Sequence, residues 1–497
     1  MKAKKITMLM IGILLISCKH ASSRPSISTS NNQPKELQYD ASLPEVIEDG
    51  YEFKEKRFEE YPTNLTETSE LNFELSEDGT YYRVNGKNTF YGNKLVIPAY
   101  HNNLPVKEIM NDGFAYKEWL SEIYIPETIE KFDNGAFSSA PRLTKIYYNA
   151  RNAEDLAGKN WIFYPKDGST NKIEVYIGPD VERIPNRLFF PLSTDPSKVP
   201  TIGKIHFAKE SKIKTIGEYA FYKSKEAELD DLPDTIEEIG DYAFYEGKTE
   251  NLNLSKSLKS IGEYAFAFNK RLKHIKFNEN LEEIKGHAFY NCSELVKSDM
   301  SMTKIEVIGE SAYRKCERLA NVELPNTVKE IEDRVFEASG LEVFDAPKSL
   351  EIIRENAFKG CSKLKGIRLN EGLKEIEKGT FKDAINVTKL VVEAKNLKDF
   401  GNGNNIFAKL GQNTDGVEVI FMETVTEIPS HMFFPNANEE EEPKLKRIVL
   451  LKTIKSIKDY AFYELNVEKI DYEGSIEEFQ KVIKYNNEFT NIEYFNN

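Results

Sequence analysis

The sequence predicts a repeat solenoid of stacked coils with short parallel strands and tight helical turns. A hairpin caps its N-terminal end and a short helix its C-terminal end. Three observations carry the prediction. The hexapeptide IGEYAF occurs twice, at 216–221 and 261–266. A looser pattern recurs in thirteen segments, from Ile109/Phe114 to Ile457/Phe462: an aliphatic residue, then an aromatic five positions on, usually after a small residue. From Phe221 to Phe381 these aromatic anchors step by 23, 22, 23, 24, 23, 22 and 23 residues.

A fixed period in the twenties signals a solenoid of leucine-rich-repeat type. One unit reads LKHIKFNENLEEIKGHAFYNCSEL (272–295). Leu272, Ile275 and Phe277 are expected inward on a short strand, the last two at the strand period of two. Leu281 and Ile284 form a second inward pair. Ala288 then lets Phe289 enter the core on a helical turn. One coil cannot bury these side chains alone, whereas stacked coils bury them against their equivalents. At about 4.8 Å per strand, some fifteen coils make a rod on the order of 70 Å long.

Two blocks break the period alike. Residues 149–191 align with 392–435, and in each an extra aromatic (Phe163, Phe407) lies 26 residues from the anchors on either side. Each block is expected to be a pair of coils with an extruded loop. The solenoid then spans 95–470. Residues 46–94 form the N-terminal cap, where Leu71, Phe73 and Leu75, a turn at Asp78-Gly79, then Tyr82 and Val84 read as a hairpin. Residues 471–497 form the C-terminal cap. There Ser475-Ile476-Glu477-Glu478 is a capping-box pattern, and Ile476, Phe479 and Ile483 share one helical face.

The first residues read as a leader. A basic start (MKAKK) precedes an apolar stretch, 6–16, too short to span a bilayer. Leu15-Ile16-Ser17-Cys18 resembles a bacterial lipobox, so 1–17 is expected to be a lipoprotein signal peptide and Cys18 the site of lipid attachment. The other reading is an ordinary secretory signal with a coincidental Cys. Residues 18–45, polar and rich in Ser, Asn and Pro, are expected to be a flexible tether.

Charge narrows the function. The chain has 497 residues, with 67 basic against 81 acidic side chains and a net charge of −14 spread along it. A nucleic-acid or anionic-membrane surface would need a concentrated basic patch. No phosphate-cradling loop, nucleophile elbow or dinucleotide fingerprint occurs. The six His are dispersed and no Cys/His metal spacing exists, so no cofactor is expected. A regular array also repeats equivalent surfaces, whereas catalysis needs unlike groups converging; a non-enzyme is expected.

The opening LVIPAYHNNLPVKEIMNDGF (95–114), the LP-x-x-[ILV]-x-x-I-G-x-x-A-F-x-x-C-x-x-L theme and the closing DYEGSIEEF (471–479) resemble the BspA-like leucine-rich-repeat family of bacterial surface proteins. The resemblance covers about residues 71–497. It implies a secreted or surface-exposed binding protein, some members being implicated in adhesion to host or neighbouring-cell proteins. The chain departs from better-known leucine-rich repeats: the regular Asn is absent and Ile-x-x-x-Ala-Phe replaces the convex helix. A horseshoe with a concave binding face is therefore not implied.

Several residues stand out from the repeat. Cys292, Cys316 and Cys361 each follow their anchor by three; they read as small buried thiols, or Cys292 and Cys316 as a bridge between adjacent coils. Residues 439–442 (EEEE) read as a solvated charge run or a cation site. Two before the anchor lie Tyr219, Tyr242, Tyr264 and His287, with Tyr460 later; one after it lie Tyr222, Tyr245, Tyr290 and Tyr463. Stacked coils place these side by side. They read either as coil-to-coil packing or as an aromatic stripe over 219–290, Tyr being a residue type that supplies interface anchors.

The sequence thus points to a lipid-anchored outer-membrane or cell-surface protein that binds a host or neighbouring-cell protein, touching membrane through its lipid alone. A periplasmic scaffolding protein is the second reading. A carbohydrate-binding or enzymatic role at the irregular blocks, around Trp161 or residues 402–405, is the third.

Overall fold

The computed structural model describes residues 37–497 apart from 48, 158–160, 165–170, 191–199, 230, 435–441, 464, 484–491, 496 and 497. The signal peptide, Cys18, residues 18–36 of the expected tether and most of the acidic run at 439–442 lie outside the described residues.

Each coil has three sides. In the unit 272–295 the first is the strand His274–Lys276 and the second the two-residue strand Glu283–Ile284. Equivalent residues pair in parallel, Ile275 with Leu252 and Ser298, and Ile284 with Ile261 and Ile308. The first-side strands form sheets of six, four and seven strands along the molecule, and the second-side strands a nine-stranded sheet from Arg183–Ile184 to Glu375–Ile376.

The third side corrects the sequence reading: the expected helical turns are not helices. An α-helix sends every N–H to the carbonyl four residues back. Here the N–H groups of Ala220, Tyr222 and Ser224 reach three back within their own coil, while those of Tyr219, Phe221 and Lys223 donate to Asp241, Ala243 and Tyr245 in the next coil at 2.9 Å. The turn is therefore a third inter-coil ladder. Its geometry requires left-handed backbone two residues before the anchor (Tyr219, Tyr242, Tyr264 and His287, φ 52–59°) and two after it (Lys223, Glu246, Phe268 and Asn291, φ 56–60°). Val, Ile and Thr, for which this region is a severe outlier, occupy none of these positions.

The anchors stack as one column. Phe114, Phe137, Phe163, Phe189, Phe221, Phe244, Phe266 and Phe289 follow one another at centroid spacings of 5.0–5.7 Å. The column continues through Tyr313, Phe336, Phe358, Phe381, Phe407, Phe433 and Phe462. Phe163 and Phe407 are full members, so each irregular block does contribute a pair of coils; part of block 149–191 lies outside the described residues, whereas 392–434 is described throughout.

IGEYAF follows from this geometry. Ile261, Ala265 and Phe266 are buried, and Tyr264 sits at a left-handed position. A Cβ on Gly262 would lie 2.5 Å from the backbone N of Asp241, and one on Gly240 2.7 Å from that of Glu218. Glycine lets one coil seat on the backbone of its neighbour. The cysteines serve the same stacking. The Cys292, Cys316 and Cys361 thiols donate to the carbonyls of Phe266, Phe289 and Phe336, each in the preceding coil, at 3.1–3.2 Å. All three are free, so no bridge joins Cys292 to Cys316.

Both caps form, the second with one change. Strands β1 (Asn72–Leu75) and β2 (Tyr82–Asn85) pair antiparallel, with Phe73 opposite Val84 and Leu75 exposed. The capping box at Ser475 and Glu478 opens helix α1 (Ile476–Val482). Phe479 and Val482 are its buried face and Ile483 packs beside them; Ile476 faces solvent.

The expected tether runs too far. Residues 37–68 form an extended strap that lies back along the outward face of the first-side sheets. Leu37 is buried against Ile420, Val449 and Leu451 near the C-terminal end. Asp49 meets His274 midway, and Tyr61 and Leu65 cover Tyr124 and Tyr147 near the N-terminal end. Residues 37–45 are held by the coils because Arg447, Lys389 and Arg368 donate to the carbonyls of Gln38, Asp40 and Ala41 at 2.7–2.8 Å. Among the described residues no helix is long and apolar enough to cross a membrane.

Candidate functional site: an aromatic ladder on the turn side

The third side brings the singled-out tyrosines together. Tyr219, Tyr242 and Tyr264 stack face to face at 4.7 Å, with planes 4° and 12° from parallel, and His287 continues the row at 4.3 Å. A second row runs beside it. Tyr222 stacks on Tyr245 at 5.0 Å, and Phe268 spans the coil whose own residue at that position is Ala267, contacting Tyr245 and Tyr290 at 5.2 and 5.1 Å. Edge-to-face contacts lock the rows, as between Tyr219 and Tyr222 at 5.3 Å. All six predicted tyrosines are half-buried.

Sequence reasoning missed members that the same offsets would have found. Trp161 and Tyr164 flank Phe163 by two before and one after, and touch at 4.5 Å. Phe190 follows Phe189 by one and stacks on Tyr222 at 5.4 Å. Phe190 carries the ladder back into the irregular block, so the ladder crosses five coils, about 20 Å at the sheet spacing, and Trp161 and Tyr164 pair with each other one coil before it. A shorter copy sits near the C-terminal end, where His431 stacks on Tyr460 and Phe434 on Tyr463. Residues 402–405 lie ten coils from Trp161 in the anchor column and do not join the ladder. Asn404 is bound within its own region, to the carbonyls of Gly401 and His431.

The stacking decides what the ladder can offer. Tyr222, Tyr242 and Tyr264 are stacked on both faces, so these rings have edges and hydroxyls left to offer. Ring edges carry the positive end of the aromatic quadrupole. Burial pushes the phenols of Tyr242 and Tyr245 up to about 12, with neighbouring tyrosines adding for Tyr242 and Glu246 for Tyr245. Tyr219 and Tyr264 are raised for the same first reason. All four remain hydrogen-bond donors at neutral pH. Cations close the ends, Arg187 over Tyr219 at 5.4 Å and Arg314 over Tyr290 at 5.9 Å. Burial also pushes the Cys316 and Cys361 thiols up to about 12, which removes them as nucleophiles. Among the described residues no cluster of three or more His, Cys, Asp or Glu is placed to hold a metal ion.

The family comparison agrees with the architecture. The profile of the BspA type leucine rich repeat region matches residues 66–191, 197–304, 298–414 and 403–497. A leucine-rich repeat protein from Bacteroides ovatus is similar over 87% of this chain and 100% of its own, at 15% identity and a TM-score of 0.44. The pneumococcal vaccine antigen PcpA is similar over 87% of this chain and 99% of its own, at 18% identity and a TM-score of 0.32. A leucine rich cell surface protein from Faecalibacterium prausnitzii is similar over 85% and 98%, at 16% identity and a TM-score of 0.28. At these identities the likeness concerns the fold alone. No curated protein matches the chain.

Proposed function

The chain belongs to the BspA-type leucine-rich-repeat family, and from that premise we propose that it is a lipid-anchored, cell-surface, non-catalytic adhesion protein whose aromatic ladder binds a protein on a host or neighbouring cell. The observation that supports this reading is the double row of half-buried rings from Phe190 to Tyr290 along one side of the coils. Pre-ordered Tyr anchors lose little side-chain entropy on binding and dominate protein interfaces. A glycan would stack on free ring faces, and those of Tyr222, Tyr242 and Tyr264 are taken.

The strap bears on orientation. Leu37 rests near the C-terminal coils, so a lipid on Cys18 would hold the solenoid by that end and leave the ladder in the distal half. The reading is tested by capturing partners from candidate cell surfaces with the soluble 19–497 fragment. Saturable capture of a surface protein, blocked by excess fragment, supports it. Capture of glycans alone, or resistance of the native protein to protease on intact cells, contradicts adhesion and favours a periplasmic scaffold.

A further inference from the structure

The face opposite the strap has the features of a polypeptide receptor. Its recognition elements repeat along the long axis. At one end Tyr124, Tyr147, Tyr176 and His206 form a stack of their own, with spacings of 4.2–4.5 Å, roofed by Tyr61 and Leu65. At the other, Ile420, Val449, Leu451 and Phe495 receive Leu37 and Tyr39. Between them His274 is held by Asn251 and by Asp49 at 2.6 Å, with Tyr51 stacked on its ring at 3.9 Å.

The strap's backbone is captured largely by side chains. Arg447, Lys389 and Arg368 take carbonyls of residues 38–41. Among the described residues, backbone-to-backbone bonds from strap to coils come from Glu59 and Thr68, both in its last part. Cationic side chains on the carbonyls of an extended chain hold its backbone, and pockets at intervals set where its aromatic or leucine anchors must fall. The strap suits that surface: residues 37–68 hold nine acidic against three basic side chains. It does not seal the middle of the face. A cavity of about 520 Å³, lined by Tyr51, Phe53, Lys276, Phe277 and Met302, remains beneath it, and Ile47 is 92% exposed.

We propose that this face is a second interaction surface, a receptor for extended acidic polypeptide segments carrying aromatic or leucine anchors, and that residues 37–68 are its resident ligand in cis. The partner is a segment of strap-like chemistry on another protein, which displaces the strap from the open middle outward. This surface is distinct from the turn-side ladder and stands or falls separately from it.

The test uses the full chain with a protease recognition sequence inserted between Ser69 and Glu70, both exposed. After cutting, circular dichroism reports the fold, and fluorescence anisotropy reports binding of a labelled synthetic peptide of residues 37–68. The proposal expects the cut chain to stay folded and the labelled peptide to exchange in, at least tenfold tighter than a scrambled peptide. Arg368→Gln with Lys389→Gln should weaken it several-fold while leaving the dichroism unchanged. Unfolding on cleavage, retention of the native segment against a hundredfold excess of labelled peptide, or equal binding of the scrambled peptide would each overturn it.

Discussion

The ring of Tyr219 lies on that of Tyr242 with centroids 4.7 Å apart and planes 4° from parallel, although both residues hold left-handed backbone, at φ 54° and 56°. A tyrosine there accepts strain that Gly or Asn would not, so its ring is what the position selects. Stability can separate the two contributions. At position 242 Asn should fold with little loss, being tolerant of this conformation, whereas Ile should be about 1–2 kcal/mol less stable than Asn. Urea unfolding of the two variants checks the order.

The same burial gives a pH signature. A phenol raised in the folded state favours folding below the unfolded pKa, and that contribution is lost as pH rises through the folded value. For Tyr242 and Tyr245 the window runs from about 10 to about 12. In absorbance titration at 295 nm, Tyr242→Phe with Tyr245→Phe should lower the amplitude near pH 12 by two phenols, leaving the amplitude near pH 10 unchanged.

Cys292, Cys316 and Cys361 should resist alkylation at pH 8 in the native protein and react fully in denaturant, each gaining one label. Their thiols are buried and donate to carbonyls. Labelling of the folded chain, read by intact mass, would show that these coils open.

Gly262→Ala should destabilise by about 1–3 kcal/mol, the range for forced overpacking, because the new Cβ meets backbone at 2.5 Å that has no other place to go. Gly79→Ala meets nothing within 4 Å and should cost only the conformational strain of its φ of 69°. Thermal unfolding of the pair compares a coil contact with a turn.

The period made the coils and the fifteen-member anchor column legible, because burial of equivalent residues against one another is a one-dimensional constraint written at fixed spacing; the Asp78-Gly79 turn and the Ser475 capping box made the caps legible. The placement of Tyr219 to Tyr290 on one side followed from the same register. The turn was misread as helical because Ala-Phe spacing in a left-handed turn ribbon mimics the i, i+3 contacts of a helix. Helical spacing alone puts Ile476 on the face of Phe479, but it is exposed because a cap has no further coil to cover it. The strap was invisible for a different reason. Its contacts are long-range and side chain to backbone, as between Arg447 and Gln38, and leave no local pattern.

The central claim, that the turn-side ladder is the adhesive surface, is tested most directly by changing Tyr219, Tyr242 and Tyr264 together to Ser and measuring binding of the captured partner beside far-ultraviolet dichroism. The account predicts unchanged dichroism with binding weakened at least tenfold. Undiminished binding by the folded triple variant would contradict it.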